Sequence, residues 1–354
     1  MKRVTRRLWG LTLSLLLTTA LLLGGCGSSA QGSKSQGDEQ KDSVQIGMCF
    51  DSFVIERWQR DRDAFVSTAK ELGAEVNIQN ANGDVDQQIQ QIEYFIKKGM
   101  DVIVIISIDA EALEDSVKKA KDAGIKVIAY DRAIPNVGAD LYVSFDNAEV
   151  GRLMGESMVK AGLTDKKVLM ICGSPKDQNV PMVKAGFASV MEENNNQIID
   201  EYYCDGWKAE LAGEYIYAHP GVVAEADAIM CGNDDLASRV VYALSEKRLA
   251  GKKLVTGQDA DLEACQRIVE GTQLMTVYKP IEKLAQKAAE AAVSLAKDKE
   301  LEGEDVSVFF DGTKTIPYLK VEPVGVTKEN IDEVIINSGF HLKEDVYLNV
   351  NKFH

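Results

Sequence analysis

The chain has 354 residues, with 40 basic and 55 acidic side chains, a formal net charge of −15 and 45% hydrophobic residues. This length is sufficient for two domains with sizeable cores, and the composition is that of a globular protein. The acidic balance excludes nucleic acid as a partner, because nucleic-acid binding requires a positive surface.

The first 25 residues predict a secretory signal, because a basic start is followed by an apolar run from Leu8 to Leu23. The run ends in LLGGC, which resembles the lipobox of bacterial lipoproteins and implies that Cys26 becomes the lipidated first residue. The alternative is a signal anchor that is never cleaved. Residues 26–43 predict a lipidated cysteine followed by a disordered tether, since Gly, Ser, Gln and charge dominate them.

We therefore expect an exported protein, lipid-anchored to the outer face of the cytoplasmic membrane or on the periplasmic side. Removing the signal leaves 36 basic and 55 acidic residues, a net charge of −19. This charge disfavours direct electrostatic attachment to anionic lipid, so the acyl chains would provide the anchor.

Strands and helices alternate from residue 44 onward. The predicted strands include VQIGM, AEVNIQ, DVIVII and KVIAY, and later KKVLMIC, IIDEYYC, ADAIMC, KLVTG and LMTVY. Such alternation predicts right-handed βαβ units and parallel sheets. The break at VSFDNAEVG divides the units into two sets, so the predicted fold class is α/β with two doubly wound parallel-sheet lobes.

The lobe boundaries follow from this division. The predicted bounds are 44–147 plus 280–310 for an N-terminal lobe, 148–279 plus 311–345 for a C-terminal lobe, and 346–354 for a tail. The short β-rich pieces DVSVFFDG and TIPYLKVEPV are interpreted as crossings back between the lobes.

Polar residues follow nearly every predicted strand, and ligands of open parallel sheets bind beyond the carboxyl ends of the strands. Some of these residues are expected only to cap helices. The predicted caps are Asp84, Asn147 and either Asp234 or Asp235. Caps do not require the Arg132, Lys279 and Trp207 side chains, so the set predicts a ligand site.

A neutral polyol fits these side chains best. The sequence contains neither GxGxxG nor GxxxxGK[ST], the loops that favour phosphate. Carboxylates and amides accept hydrogen bonds from sugar hydroxyls, whereas Arg and Lys donate to them. Trp58 and Trp207 lie beside strand ends, one in each half, which predicts a two-sided stack on a sugar ring. The alternative for each is a core tryptophan.

The remaining cysteines and the histidines show no pattern typical of a metal site. Five scattered cysteines are neither a disulfide framework nor a zinc site, and Cys172 and Cys231 are expected to be buried thiols. The three histidines have no metal or triad spacing, and no calcium loop of the EF-hand type occurs. No cofactor and no metal are expected.

Several longer motifs resemble the bacterial D-xylose-binding proteins of ABC sugar importers, members of the ribose/galactose-type periplasmic-binding superfamily. They are ERWQRDRDAF, ELGAEVNIQNANG, VIAYDR, SFDN, GSPKDQN, DGW, GQDADLEACQRIVEGTQLMTVYKP and SGFH. The resemblance spans about residues 44 to 341 and implies the type I fold, two lobes joined by a three-segment hinge. Carried over by motif, the implied sugar-binding residues are Arg57, Trp58, Asp131, Arg132, Asn179, Trp207, Asn233, Asp259 and Lys279.

The resemblance implies an extracytoplasmic substrate-binding lipoprotein that presents a monosaccharide to an ABC permease in the membrane. D-xylose is the expected monosaccharide, and the protein is expected to be a monomer. SIDAEAL, after the third strand, departs from the family pattern, so glucose, arabinose, ribose and galactose stay open. A sensor that presents sugar to a chemoreceptor or kinase also stays open. A glycosidase using Asp131, Asp259 and Asp261 is disfavoured because the acids come with Arg, Lys and Asn on many strands. The export signal and the missing basic helix-turn-helix disfavour a repressor.

Asp131 and Arg132 end a buried strand, where an unpaired charge is costly. We interpret the pair as one edge of the sugar site, satisfied by ligand hydroxyls and by each other. The competing hypothesis is a structural ion pair that holds the crossover between the lobes.

Overall fold

The computed structural model describes residues 43–55, 57–301 and 306–350. The predicted signal, Cys26, the tether up to residue 42 and the last four residues of the predicted tail lie outside this part. Within it, no helix is both long enough and apolar enough to span a membrane.

The described elements alternate as predicted. The first set comprises β1 Val44–Phe50, α1 Arg57–Glu71, β2 Ala74–Asn80, α2 Val85–Lys98, β3 Val102–Ile105, α3 Glu114–Asp122, β4 Lys126–Tyr130 and β5 Leu141–Phe145. The second set comprises α4 Asn147–Lys160, β6 Lys167–Cys172, α5 Asn179–Glu193, β7 Gln197–Tyr203, α6 Ala209–Ala218, α7 Pro220–Glu225, β8 Ala228–Cys231, α8 Asp234–Glu246, β9 Leu254–Gln258, α9 Leu262–Glu270 and β10 Met275–Tyr278. The third set comprises α10 Ile281–Ala296, β11 Val306–Phe310, β12 Thr315–Val321, β13 Val324–Thr327 and α11 Lys343–Val346.

The strands form two sheets, one in each lobe. The first sheet has the order β11-β12-β5-β4-β3-β1-β2, and the second has the order β13-β10-β9-β8-β6-β7. All pairings are parallel except β11 with β12 and β13 with β10, which are antiparallel edge pairs. We call the part built on the first sheet the N lobe (43–146 and 281–321) and the part built on the second the C lobe (147–279 and 324–350). The predicted fold class is confirmed.

The chain passes between the lobes at three points, between β5 and α4, between β10 and α10, and between β12 and β13. The third crossing lies elsewhere than predicted, since the sequence analysis placed the lobe boundary between residues 310 and 311. β12 pairs in parallel with β5, so residues 315–321 belong to the N lobe and the crossing lies between Val321 and Val324. The piece DVSVFFDG is therefore an edge strand of the N lobe and not a crossing.

The central strands of each sheet are covered on both faces, which explains why they are mostly apolar. β3 and β5 are buried along their whole length, as is β8 in the C lobe. Two apolar clusters lie on opposite faces of the N-lobe sheet, and two more lie on opposite faces of the C-lobe sheet. With both faces covered, only the strand ends are left to carry polar chemistry.

Helix caps match the prediction in one case and differ in two. Asp84 caps α2 by accepting from the Gln87 backbone, as predicted. Asp146 caps α4 in place of Asn147. Asn233 caps α8 in place of Asp234 or Asp235, because its side chain lies one residue before the helix and reaches the Leu236 N–H at 2.9 Å.

All five described cysteines are buried. The expectation of buried thiols at Cys172 and Cys231 is therefore confirmed. Burial raises the pKa of the Cys172 thiol to about 12 and that of Cys231 well above its ordinary value. Among the described residues, no group of His, Cys, Asp and Glu side chains is placed to hold a metal ion.

Candidate ligand-binding site

One cavity lies between the two lobes, at the carboxyl ends of the strands of both sheets. Its lining includes every residue that the sequence analysis proposed for sugar binding. These are Arg57, Trp58, Asp131 and Arg132 from the N lobe, and Asn179, Trp207, Asn233, Asp259 and Lys279 from the C lobe. The structure thus brings the set together, and their role as sugar contacts stays a prediction.

Asp131 follows β4 in a left-handed conformation, with φ of 64°, which turns the chain sharply at the end of the strand. Its Oδ2 lies 2.9 Å from Arg57 Nη2. Arg57 is itself held from behind by Asp61, which accepts from its Nε and Nη2 at 3.1 Å each and also from the Tyr130 hydroxyl. The Arg57 guanidinium is therefore fixed on two sides by carboxylates of its own lobe.

Arg132 has partners of its own. Its Nη1 lies 2.7 Å from Asp51 Oδ2 and donates to the Ser107 carbonyl at 2.8 Å. Its Nε lies 2.7 Å from Asp177 Oδ2, which belongs to the C lobe. Among the described residues no ion pair joins Asp131 to Arg132; each is paired with other side chains, and the two interact with each other through their charges alone.

The Asp131 carboxylate is ionised. Burial acts to raise its pKa, but the charges of Arg57, Lys279 and Arg132 outweigh burial and hold the pKa below its ordinary value. Burial dominates behind the cavity wall, where it raises the pKa of Asp61.

Each basic side chain that lines the cavity has an acidic partner within 4.0 Å. Arg57 and Arg132 have the partners given above, Lys279 Nζ lies 3.1 Å from Asp259 Oδ1, and Lys184 pairs with Glu201. The cavity is therefore lined by many hydrogen-bond donors and acceptors, and each positive charge in its lining is paired with a negative one. This charge pattern suits a neutral polar ligand better than an anion.

The C-lobe wall is built around Asn179 and Trp207. Asn179 Nδ2 donates across the cleft to the Asp131 carbonyl at 3.1 Å and to its Oδ1 at 3.0 Å. Trp207 has φ of 58°, and its Nε1 donates to Asp177 Oδ2 at 3.1 Å. Its ring lies against Gly173, where an added Cβ would come within 2.1 Å of the ring. A glycine at this position leaves the space that the edge of the indole ring occupies.

Trp58 forms the aromatic part of the N-lobe wall. The ring is 2% exposed, and the Arg57 guanidinium lies 4.4 Å from its centroid. Its Nε1 is buried and has no hydrogen-bond partner among the described residues. A buried indole N–H normally has a partner, so this donor is available to a ligand oxygen.

The sequence analysis missed several polar lining residues, among them Asn147, Asp177 and Gln258. Asn147, expected to be a cap, lines the cavity and donates to Ser144 at 3.2 Å. Asp177 connects Arg132 with Trp207. Gln258 donates to the Gly232 carbonyl and leaves its Oε1 buried without a partner among the described residues. Gln258 ends β9, directly before Asp259, so its position at a strand end was an available signal.

The carboxylates of the cavity are poorly placed for acid–base catalysis. Asp131, Asp177 and Asp259 each lie within 4.0 Å of an Arg or Lys nitrogen, and Asp261 does not line the cavity. A general acid or base must be free to exchange a proton with the reacting group, whereas neighbouring cations already engage each of these carboxylates. The arrangement is suited to holding a small polar molecule between two lobes.

Two α/β lobes joined by three chain crossings, with a polar cavity between them, have the architecture of a substrate-binding protein. The comparisons agree. The family described as "Periplasmic binding protein domain" matches residues 46–300. The chain belongs to the periplasmic binding protein family.

Among curated proteins, the chain is 42% identical to a D-xylose-binding periplasmic protein of Haemophilus influenzae, over 86% of this chain and 92% of that protein. It is 38% identical to a D-xylose-binding periplasmic protein of Escherichia coli, over 94% of this chain and 98% of that protein. Among solved structures, it is 28% identical to an ABC transporter solute binding protein of Clostridium phytofermentans with bound β-D-glucose, with a TM-score of 0.77 over 85% of this chain and 99% of that chain. The protein is accordingly a binding protein and not an enzyme.

Proposed function

We propose that the protein is the extracytoplasmic sugar receptor of an ABC importer and that it binds a monosaccharide, D-xylose, in the cavity between its lobes. The observation that carries the proposal is the lining itself. Planar amides and paired charges converge on an enclosed space with tryptophans from both lobes. Such groups match hydroxyls that both donate and accept and a ring with apolar faces.

The choice of D-xylose rests on the two D-xylose-binding relatives, which match most of the chain. The glucose-bound structure of Clostridium phytofermentans supports glucose as the alternative. A calorimetric titration with D-xylose, D-glucose, L-arabinose, D-ribose and D-galactose decides between them. We expect the lowest Kd for D-xylose. If another sugar has a lower Kd, that sugar replaces D-xylose as the proposed ligand. If the titration heats of all five sugars are no larger than their heats of dilution, none of them binds and the proposal is contradicted.

We also propose that lipid on Cys26 anchors the protein and that a membrane permease is its partner. The supporting observation is the LLGGC motif at the end of a basic and then apolar leader. Cys26→Ser should release the protein from the membrane fraction into the soluble fraction. A variant that still sediments with membranes would show that another feature provides the anchor.

A further inference from the structure

The loop after β9 holds an unusual backbone. Asp259 has φ of 99° and Ala260 has φ of 56°, so two consecutive residues other than glycine have positive φ. Such conformations persist only where the surroundings hold them in place. This loop also places the Asp259 carboxylate in the cavity, 3.1 Å from Lys279 Nζ and 4.0 Å from Arg57 Nη1.

The side chain of Asp234 is a main support of this loop. Its Oδ2 accepts from the Asp261 backbone N–H at 3.1 Å. The same oxygen accepts from the Thr276 hydroxyl at 2.6 Å, and Thr276 Oγ1 in turn accepts from the Ala260 N–H at 3.1 Å. One carboxylate oxygen thus holds both residues that follow Asp259.

The other carboxylate oxygen of Asp234, Oδ1, occupies a space that exists because residue 257 is a glycine. Asp234 is fully buried and does not line the cavity. Its Oδ1 accepts from Gln273 Nε2 at 2.8 Å, and it lies where a Cβ on Gly257 would come within 2.1 Å. The carboxylate is therefore placed by packing, by a glycine in β9 and by donors from β10 and its preceding turn.

We propose that Asp234 is a positioning residue of the ligand site, which holds the strained loop 259–261 so that Asp259 meets the ligand. The proposal rests on the proposed function, because it assigns to Asp234 a part in sugar affinity. It also gives a reason for an acid at the first position of α8, beyond the favourable effect of negative charge on a helix start.

Asp234→Asn distinguishes a carboxylate from its neutral isostere. In one orientation the new Nδ2 would face the Asp261 N–H, and in the other it would face Gln273 Nε2. The Gln273 amide cannot simply reverse, because its Oε1 accepts from Arg267 Nε at 2.9 Å and its Nε2 also donates to the Met275 carbonyl at 3.0 Å. Either orientation therefore sets two donors against each other.

The experiment is a calorimetric measurement of Kd for the tightest-binding sugar of the panel, at pH 8. Burial raises the pKa of Asp234 to about 7, so at pH 8 the carboxylate is ionised. We expect Asp234→Asn to raise Kd at least about tenfold, from the loss of an aligned Asp259. Asp235→Asn, the same change at the next and partly exposed residue, should leave Kd within about twofold of wild type.

A double-mutant cycle separates positioning from a merely structural role. If Asp234 acts through Asp259, then adding Asp234→Asn to an Asp259→Asn protein should change Kd by less than about twofold. A residue that only stabilises the lobe would lower the melting temperature and leave Kd of the folded protein unchanged.

A second pair of variants applies if Asp234→Asn does not fold. Thr276→Val removes the hydroxyl that joins Asp234 to Ala260 and should raise Kd in the same direction. Thr256→Val is its control, because Thr256 is equally buried and its hydroxyl has no hydrogen-bond partner among the described residues.

The outcomes are distinct. Kd values within twofold of wild type for Asp234→Asn, or for Thr276→Val where Asp234→Asn does not fold, would overturn the proposal and leave the proposed function intact. Effects of Asp234→Asn and Asp259→Asn that multiply in the double variant would also overturn it. A wild-type protein that binds no sugar of the panel would contradict the proposed function, and this inference with it.

Discussion

On the N-lobe face of the cavity, charged side chains are held by other charges, whereas on the C-lobe face the backbone does much of the positioning. Arg57 and Arg132 are each fixed by a carboxylate of their own lobe, Asp61 and Asp51 respectively. On the other face, Trp207 and Asp259 are presented from residues with positive φ, a conformation that only Asp131 shares among the N-lobe residues lining the cavity.

This difference predicts what a substitution on each face of the cavity costs in stability and in affinity. Removing one member of a buried ion pair leaves the other charge without compensation in a medium of low polarity. Changing a side chain presented by the backbone removes mainly its own contacts. Substitutions on the N-lobe face should therefore cost both stability and affinity, and those on the C-lobe face should cost mainly affinity.

The largest effect is expected at Arg57. Arg57→Met would leave Asp61 and Asp131 buried without their shared partner, which should lower the free energy of unfolding by about 3–5 kcal/mol and abolish measurable sugar binding. Urea unfolding and calorimetry check the two effects. Arg62→Met is the control, because Arg62 pairs with the exposed Asp63, and it should cost at most about 1 kcal/mol. Similar losses in the two variants would contradict the comparison.

The next effect is expected at Asp131 and Arg132. Arg132→Lys cannot reach Asp51, Ser107 and Asp177 with one ammonium group, and Asp131→Asn weakens the contact with Arg57. Each should raise the Kd for D-xylose at least about tenfold, which corresponds to about 1.4 kcal/mol. Calorimetry and thermal melts should be run together. A normal Kd with a lowered melting temperature would mean that the two residues are a structural clamp.

A smaller effect is expected at Trp207 on the C-lobe face. Trp207→Phe keeps an aromatic ring and removes the hydrogen bond from Nε1 to Asp177. One such bond contributes about 0.5–1.5 kcal/mol, so Kd should rise by about twofold to twelvefold. The melting temperature of the sugar-free protein should change less than in Arg57→Met. A larger loss of stability than in Arg57→Met would reverse the proposed difference between the faces.

The smallest effect is expected at the rim of the cleft. Asp109, in the segment SIDAEAL, lies 2.9 Å from Lys176 of the C lobe, and the Lys176 side chain is half exposed. Exposed pairs contribute little and are screened by salt, so Asp109→Asn should raise Kd by less than about threefold at low salt. The change should vanish at about 1 M NaCl. A tenfold effect that persists in salt would make this rim pair part of the binding site.

The sequence predicted the place of the site well because the physics of parallel sheets is local. Apolar strands buried on both faces leave only their ends for polar residues, so Asp131 could be assigned to the carboxyl ends of one sheet, and Asn179 and Asp259 to those of the other. The sugar-binding role of these residues was added by resemblance and is still to be measured.

Other features depended on contacts that sequence spacing does not contain. Asp61 and Asp51 lie 69 and 81 residues from their partners Tyr130 and Arg132, so the buried pairs could not be predicted from neighbouring residues. β12 was misplaced for the same reason, since its pairing with β5 joins residues that are far apart in the chain. The exchange of caps is a local error, because adjacent polar residues, such as Asp146 and Asn147, compete for one position.

The central claim is that one sugar molecule is enclosed by both lobes. Small-angle X-ray scattering with and without saturating D-xylose tests it most directly, because a ligand that contacts both lobes favours the closed form by its differential affinity. The account predicts that the radius of gyration falls when D-xylose is added. An unchanged radius of gyration at a sugar concentration that calorimetry shows to be saturating would contradict closure of the two lobes on the sugar.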